Sequence, residues 1–369
     1  MSWLVAGALL PSLLIAWIAG YGVRSYAPRL GLVDQPGHRK VHKSATPLGG
    51  GLAIWLGVVA PFVLGSLVVA MLGTEAQAAW LPEFVAPHLA GLRQQLPKLW
   101  TVLAGGTVLM LLGLADDRRG VDWKPRLAIE FAVAGFMVWQ GWRLSLFIDL
   151  PWLTALLSVL WIVTLVNSFN LLDNMDGLSG GVAAIASSIL AATMLTTPDP
   201  GTNQPQLFVG GFLLVLVGAL LGFLLHNRPT ARLFMGDAGA YFIGYLIAIA
   251  TMMATFAGGS APRHAIFAPL CVLAVPLYDL VSVVVIRLRS GRSPFVGDTS
   301  HFSHRLVDLG LSKPQAVLTI YLTTAATGLG ALLLYQVDAF GASVIGLMVA
   351  SELAVIAILE ATARARREP

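Results

Sequence analysis

The sequence predicts an all-α, polytopic integral membrane protein with about 11 transmembrane helices (10–11), its N-terminus outside and its C-terminus cytoplasmic. Three observations carry that fold class. The 369 residues are 57% hydrophobic and only 11% charged, with mean hydropathy +0.78, whereas soluble domains carry about 25% charged residues. Apolar runs near the roughly 20 residues needed to cross a bilayer recur along the whole chain. Lysine and arginine concentrate in alternate connections between those runs.

The candidate spans are 2–21, 48–72, 99–115, 127–142, 151–169, 178–197, 207–226, 238–257, 266–287, 315–336 and 340–361. The segment 99–115 is short, and Gly49, Gly50 and Gly51 blur the start of the second span, which is why 10 is the lower count. Trp3 to Tyr21 lacks a basic leading region and a small-residue cleavage site, so it reads as a retained helix rather than a signal peptide. Cys271 is the single cysteine, which rules out an intramolecular disulfide and any cysteine-based metal site. No linker, composition shift or internal repeat divides the chain, so 1–369 reads as one transmembrane domain whose motif-bearing loops are 22–47, 116–126, 170–177, 227–237 and 288–314.

Threading these spans through a membrane puts 19 of the 23 Lys and Arg residues on one side, leaving only Arg93, Lys98, Arg143 and Arg263 opposite. The basic side is cytoplasmic by the positive-inside rule. Every conspicuous acidic motif falls on that same side, although aspartate contributes little to topology. The coincidence matters because a carboxylate beside hydrocarbon is costly unless it pairs, binds a cation or serves chemistry.

Asp116-Asp117 closes the third span in L-G-L-A-D-D-R-R-G. Adjacent carboxylates repel unless a cation or proton intervenes, which suits a base; a solvated helix end paired with Arg118 and Arg119 explains the same run. In N-S-F-N-L-L-D-N-M-D-G-L, Asn167, Asn170, Asp173 and Asp176 recur at spacing three, so a continuing helix would set them on one drifting face. Such a density of oxygen ligands suits Mg2+, which keeps several waters and binds substrate phosphates; a structural polar seam is the competing reading. F-M-G-D-A-G sets Asp237 between Gly236 and Gly239 at the start of a span, as a helix cap, a phosphate site or both. Asp279 lies well inside the ninth span, suited equally to an interhelical hydrogen bond or to substrate. G-D-T-S-H-F-S-H-R-L offers His301, His304 and Arg305 as a cationic clamp for a diphosphate, against an interfacial helix with incidental histidines. V-D-Q-P-G-H-R-K-V-H-K-S-A-T-P-L-G-G-G places Arg39 and Lys40 in a loop punctuated by proline and glycine, as topology determinants or as anion ligands.

Taken in order, these segments resemble the polyprenyl-phosphate N-acetylhexosamine-1-phosphate transferases, the WecA/TagO-like branch related to MraY. The shared features are V-D-Q-P-G-H-R-K-V-H with P-L-G-G, the D-D pair, N-x-x-N-x-x-D-x-x-D-G-L, F-M-G-D-x-G and a late histidine motif ending in H-R-L. The resemblance implies transfer of N-acetylhexosamine 1-phosphate, GlcNAc-1-phosphate foremost, from a UDP-sugar to undecaprenyl or another polyprenyl phosphate. UMP is released, with Mg2+ as cofactor and Mn2+ as the alternative ion, at the bacterial inner membrane. It implies Asp237 as metal ligand with Asn170 as partner, and Asp116 and Asp117 as catalytic groups at the lipid phosphate. Asp173 and Asp176, also implied as catalytic, would line the nucleotide-sugar site beside Asn167. His301, His304 and Arg305 would hold the diphosphate, and Lys124, Arg126, Arg39 and Lys40 would meet phosphate. Two departures stand out: Ser303 replaces the middle histidine of the usual H-x-H-H, and Asn174 replaces a glycine in the usual D-G-x-D-G-L.

MraY-type transfer of phospho-MurNAc-pentapeptide is the alternative within the resemblance; R-K-x-H, P-L-G-G and D-D-R-R-G favour the WecA/TagO side. A cation- or proton-coupled transporter is the alternative from another class, weakened because the aspartates gather at one face rather than the midplane and no repeat symmetry supports alternating access. The D-G-x-x-A-R signature of CDP-alcohol phosphotransferases is missing. No nucleic-acid partner is expected, and the chain is compatible with a homodimer.

Overall fold

The structure, a computed structural model, describes residues 1–35, 45–71, 89–144, 147–199, 201–254, 256 and 262–365. It is an all-α bundle whose described strands are β1 (Val33–Asp34) and β2 (Thr46–Pro47), two antiparallel residues each. The helices are α1 (Ser2–Tyr26), α2 (Gly50–Met71), α3 (Leu89–Arg119), α4 (Trp123–Trp139), α5 (Pro151–Leu172), α6 (Leu178–Thr196), α7 (Leu207–Asn227) and α8 (Gly236–Met253). After them come α9 (Ala268–Val272), α10 (Ala274–Arg289), α11 (Phe302–Asp308), α12 (Lys313–Leu333) and α13 (Ala339–Ala365).

Nine of the described helices are long and apolar enough to cross a membrane, or ten if α10 and the short helices before it form one span bent by 66°. That bend falls inside the single continuous span expected over 266–287. Its cause is Pro276, which has no N–H to offer the Val272 carbonyl and whose ring crowds it, so the helix breaks at Leu273. The remaining predicted span is α4. At 17 residues it extends roughly 26 Å, just under the hydrocarbon thickness. It runs antiparallel to α5, joined by the Asn167–Glu130 hydrogen bond at mid-helix and, just beyond its C-terminus, by the bond between Leu144 N–H and Ser158 Oγ.

Helices α6, α7 and α8 are the most enclosed, with α13 outermost. Close approach is bought with small residues, as expected where lipid supplies no hydrophobic drive between helices. A Cβ at Gly218 or Gly222 of α7 would sit 2.2 or 2.3 Å from the carbonyls of Leu9 or Leu13 in α1, so neither position accepts a side chain. The motif-bearing ends of α3, α5, α8 and α10 all gather at one end of the bundle, joined by the contacts described next.

Candidate active site

Helix α8 begins at the centre of this end. Its first N–H groups lack intrahelical partners, and Asp117, at the last turn of α3, supplies them. The Asp237 N–H donates to Asp117 Oδ1 at 2.8 Å and the Ala238 N–H to Oδ2 at 3.2 Å. The carboxylate therefore caps a helix that starts more than a hundred residues later, where the helix dipole also favours negative charge. Two glycines permit this: Gly236 adopts φ +70° and a Cβ on it would lie 2.5 Å from Asp117 Oδ2, while one on Gly113 would meet the Ala238 nitrogen at 2.4 Å.

Asp116 is committed differently. Its Oδ1 accepts from the Val121 N–H at 2.7 Å, and its Oδ2 accepts from Tyr241 Oη at 2.9 Å and Arg126 Nη1 at 3.2 Å. Asp237 Oδ1 accepts from Asn170 Nδ2 at 2.5 Å. The segment before α8 is held by the P-L-G-G motif. The Phe234 N–H donates to the Pro47 carbonyl, and the Gly50 and Gly51 N–H groups donate to the carbonyls of Phe234 and Met235. That motif is scaffolding beneath Asp237.

The expected continuous polar face ends early. Helix α5 stops at Leu172, so Asn167 and Asn170 are helical while Asp173 and Asp176 lie in the following turn. Cross-chain bonds draw them there: the Gly236 N–H reaches Asp173, and the Ala231 N–H donates to Asp176 Oδ2 at 2.9 Å. Gly177, at φ +76°, closes the turn, its N–H donating to Asn227 Oδ1 at 2.9 Å. Burial first, then the nearby Asp237, push the Asp173 carboxyl up to about 8.

The histidine segment docks beside this turn. Asp279, fully buried on α10, accepts from the Phe302 N–H at 2.6 Å and faces His301 Nδ1 at 3.2 Å. Asp279 thus orients His301 and caps α11. Burial, then the neighbouring His301, hold the His304 imidazole below its usual range. Arg305 is buried in a protein network: Nη2 donates to Ser282 Oγ, Nη1 to the Ser300 carbonyl, and Nε stands 2.9 Å from Glu360 Oε2. In this arrangement Arg305 anchors the segment to α13 and does not face the carboxylates. Ser303 Oγ donates to Asn174 Oδ1, joining α11 to the Asp173–Asp176 turn.

Of the predicted site residues, the structure brings Asp116, Asp117, Asp173, Asp237, Asn170 and Arg126 together, with Asp176 on the same turn. Asn167 lies one turn back, donating to Glu130 Oε2. Lys124 is exposed, its ammonium 5.7 Å from the Trp123 ring centroid. Arg39 and Lys40 lie outside the described residues. Sequence reasoning overlooked Tyr241, Glu130, Asn227 and Glu360. Glu130 and Glu360 are acids within apolar runs, the signal by which both could have been found.

Residues 99–255, which contain the acidic centre, match the family model described as glycosyl transferase family 4. The chain is 31% identical over 323 residues to a Bacillus subtilis protein named "Probable undecaprenyl-phosphate N-acetylglucosaminyl 1-phosphate transferase", covering 85% of this chain and 80% of the relative. It is 33% identical over 342 residues to a decaprenyl-phosphate N-acetylglucosaminephosphotransferase of Mycobacterium tuberculosis, covering 87% and 80%. It is 30% identical over 316 residues to the undecaprenyl-phosphate alpha-N-acetylglucosaminyl 1-phosphate transferase of Escherichia coli K12, covering 82% and 76%. The chain belongs to glycosyl transferase family 4.

The donor set of this family member can be tested for a divalent cation. Among the described residues no three His, Cys, Asp or Glu side chains already form a metal cage. Mg2+ does not need one, since it binds through one or two carboxylates, with waters and substrate phosphates completing its shell. Asp173 and Asp237 stand close enough to repel each other, and Arg126 is the one cation ion-paired at the centre among the described residues. That excess of negative charge fits a hard cation. Asn170 presents its donor nitrogen to Asp237, so here it orients the carboxylate, and its carbonyl could ligate only with the amide turned over.

Proposed function

We propose that this membrane protein transfers GlcNAc 1-phosphate from UDP-GlcNAc to a polyprenyl phosphate, releasing UMP, at the cytoplasmic face of a bacterial inner membrane. The observation that carries the reading is the acidic centre at the start of α8, built from three separated segments in a chain similar along most of its length to polyprenyl-phosphate GlcNAc-1-phosphate transferases. An oxygen of the acceptor phosphate forms a bond to the sugar-bearing phosphorus, and the bond from that phosphorus to the oxygen retained by UMP breaks. Both partners are anions, so catalysis rests on charge neutralisation and in-line positioning.

Mg2+, with Mn2+ as the alternative, would supply charge neutralisation at the donor diphosphate, held by Asp237 and adjacent Asp173. Asn170 orients Asp237, and Asp117 fixes the helix start that carries it. Asp116 holds Arg126 at the rim, where the guanidinium can meet a phosphate. Asp176 shapes the turn that would face the nucleotide sugar. His301, oriented by Asp279, and His304 would supply hydrogen bonds to the diphosphate, while Arg305, paired with Glu360, does not complete the cationic clamp. The acceptor would enter laterally from the bilayer.

The deciding assay combines purified protein, undecaprenyl phosphate, Mg2+ and a panel of UDP-N-acetylhexosamines, scored for UMP. UMP release with UDP-GlcNAc, abolished in a folded Asp237→Asn variant, is the expected result. No UMP with any donor, or a fully active Asp237→Asn variant, overturns the reading.

A further inference from the structure

We propose that Asn174 and Ser303 form one positioning pair that sets the histidine segment in register with the Asp173–Asp176 turn, where the donor diphosphate would bind. The proposal rests on the transferase reading above and deepens it. The two residues are 129 positions apart, yet the Ser303 hydroxyl donates to Asn174 Oδ1. The direction of that bond is fixed: Asn174 Nδ2 already donates to the Leu171 carbonyl at 2.8 Å, leaving only the oxygen to face Ser303. Ser303 is fully buried, so water cannot substitute for a lost partner.

The other anchors of the segment pull away from the carboxylates. Asp279 and Ser282 tie it to α10 and Glu360 ties it to α13. The Ser303 bond instead ties it to the turn, two residues after His301 and one before His304. A shift of this bond would displace the start of α11, which carries His301 and His304, relative to the turn that carries Asp173 and Asp176.

Asn174 and Ser303 are also the two positions at which the chain departs from the usual motifs, and here they touch. Sterically the departures form a single exchange. With Ser303 buried and its hydroxyl on the Asn174 amide, a larger side chain at 303 would meet that amide, and a glycine at 174 would remove it.

The test uses full-length protein in detergent and measures UMP release, separate KM values for UDP-GlcNAc and polyprenyl phosphate, and melting temperature. Asn174→Ala and Ser303→Ala should each lower kcat/KM for the nucleotide sugar about 10-fold, the effect of stranding one buried hydrogen-bonding group. KM for the lipid should not move, which a general loss of stability would not produce. The double alanine variant should lose no more than the worse single one, the sign of a shared interaction. Ser303→His should lower both rate and melting temperature, and adding Asn174→Gly should recover at least about 10-fold of the lost rate, or of the folded yield if Ser303→His does not fold. Additive losses in the alanine cycle, or a Ser303→His/Asn174→Gly protein no better than Ser303→His alone, overturn the proposal. If the wild type releases no UMP, the transferase reading fails while the melting cycle still decides the pair: non-additive shifts uphold it and additive shifts overturn it.

Discussion

Gly113 of α3 lies one turn before Asp117, and substituting alanine there should separate architecture from chemistry. An added Cβ would lie 2.4 Å from the Ala238 nitrogen, 2.4 Å from the Asp237 carbonyl carbon and 2.5 Å from the Ala238 Cα. All three are backbone atoms, so no side chain can rotate away. Ordinary contact begins near 3.4 Å, so the first turn of α8 must retreat by about 1 Å. The two bonds that Asp117 accepts from this turn, now 2.8 and 3.2 Å, would lengthen by the same amount, past hydrogen-bonding range. Overpacking of this kind costs about 1–3 kcal/mol, and a 1 Å misplacement of a reacting group costs about 100-fold in rate. Gly113→Ala should therefore show a kcat for UMP release about 100-fold down, with a lowered but cooperative melt. Gly135→Ala on α4 is the control: nothing lies within 4 Å of a Cβ there, so rate should hold and stability should hold or rise. A Gly113→Ala protein with wild-type rate and melting temperature would refute the claim that Asp117 places Asp237 through the start of α8.

Asp279→Asn keeps an acceptor for the Phe302 N–H but removes the carboxylate from His301, whereas Asp279→Ala removes both. A charge-assisted bond contributes about 1.5–3 kcal/mol, so rates should rank wild type, Asn, Ala, with the last about 10- to 100-fold down; equal activities would detach Asp279 from the histidine segment. Glu360→Gln strips the buried Arg305 of its ion-pair partner, which should destabilise the protein by about 3–5 kcal/mol, read as a clear fall in melting temperature; an unchanged melting temperature would detach Glu360 from Arg305. Burial pushes the Asp298 carboxyl up, but Ser300 and Arg287 outweigh it and hold the group below its unfolded value of 3.8. A depressed carboxyl stabilises the fold above the unfolded pKa and loses that contribution as pH falls through the folded one. The melting-temperature gap between wild type and Asp298→Asn should be present at pH 7 and begin to narrow only below about pH 4; a gap that widens as pH falls below that point would contradict the sign.

The spans were legible because lipid imposes a length and a polarity that local composition must satisfy. Even the break at Leu273 had a readable cause in Pro276. The end of α5 did not. Spacing three through Asn167, Asn170, Asp173 and Asp176 is a helical period, but Asp173 and Asp176 are drawn into a turn by N–H groups of Gly236 and Ala231, which sequence distance conceals. The same concealment affected charges. Arg305 and Asp117 each read as groups aimed at substrate; one is paired with Glu360 and the other caps α8. Residue type at a site was visible in the motifs, while the partners of Asp117, Asn170, Asp173, Asp176 and Arg305 were decided by tertiary contacts more than fifty positions away.

Under the proposed function, those partners point to where a cation would act. Asp116 is balanced by Arg126 and Tyr241, and Asp117 by the N-terminus of α8. Asp173 and Asp237 remain close together with no ion pair of their own among the described residues. Their repulsion opposes folding until a proton or a divalent ion intervenes. Without divalent ions, Asp237→Asn should therefore melt at or above the wild type, although it is expected to be inactive. Adding Mg2+ to ten times its Kd should stabilise the wild type by about 1.4 kcal/mol through binding to the folded state alone, and should leave Asp237→Asn nearly unchanged. The order of melting temperatures would then depend on the ion: variant at or above wild type in chelator, the gap narrowed or reversed in Mg2+. An equal Mg2+ shift in both proteins would place the ion elsewhere, and a variant less stable than wild type in chelator would mean that Asp237 is held by contacts strong enough to outweigh the repulsion.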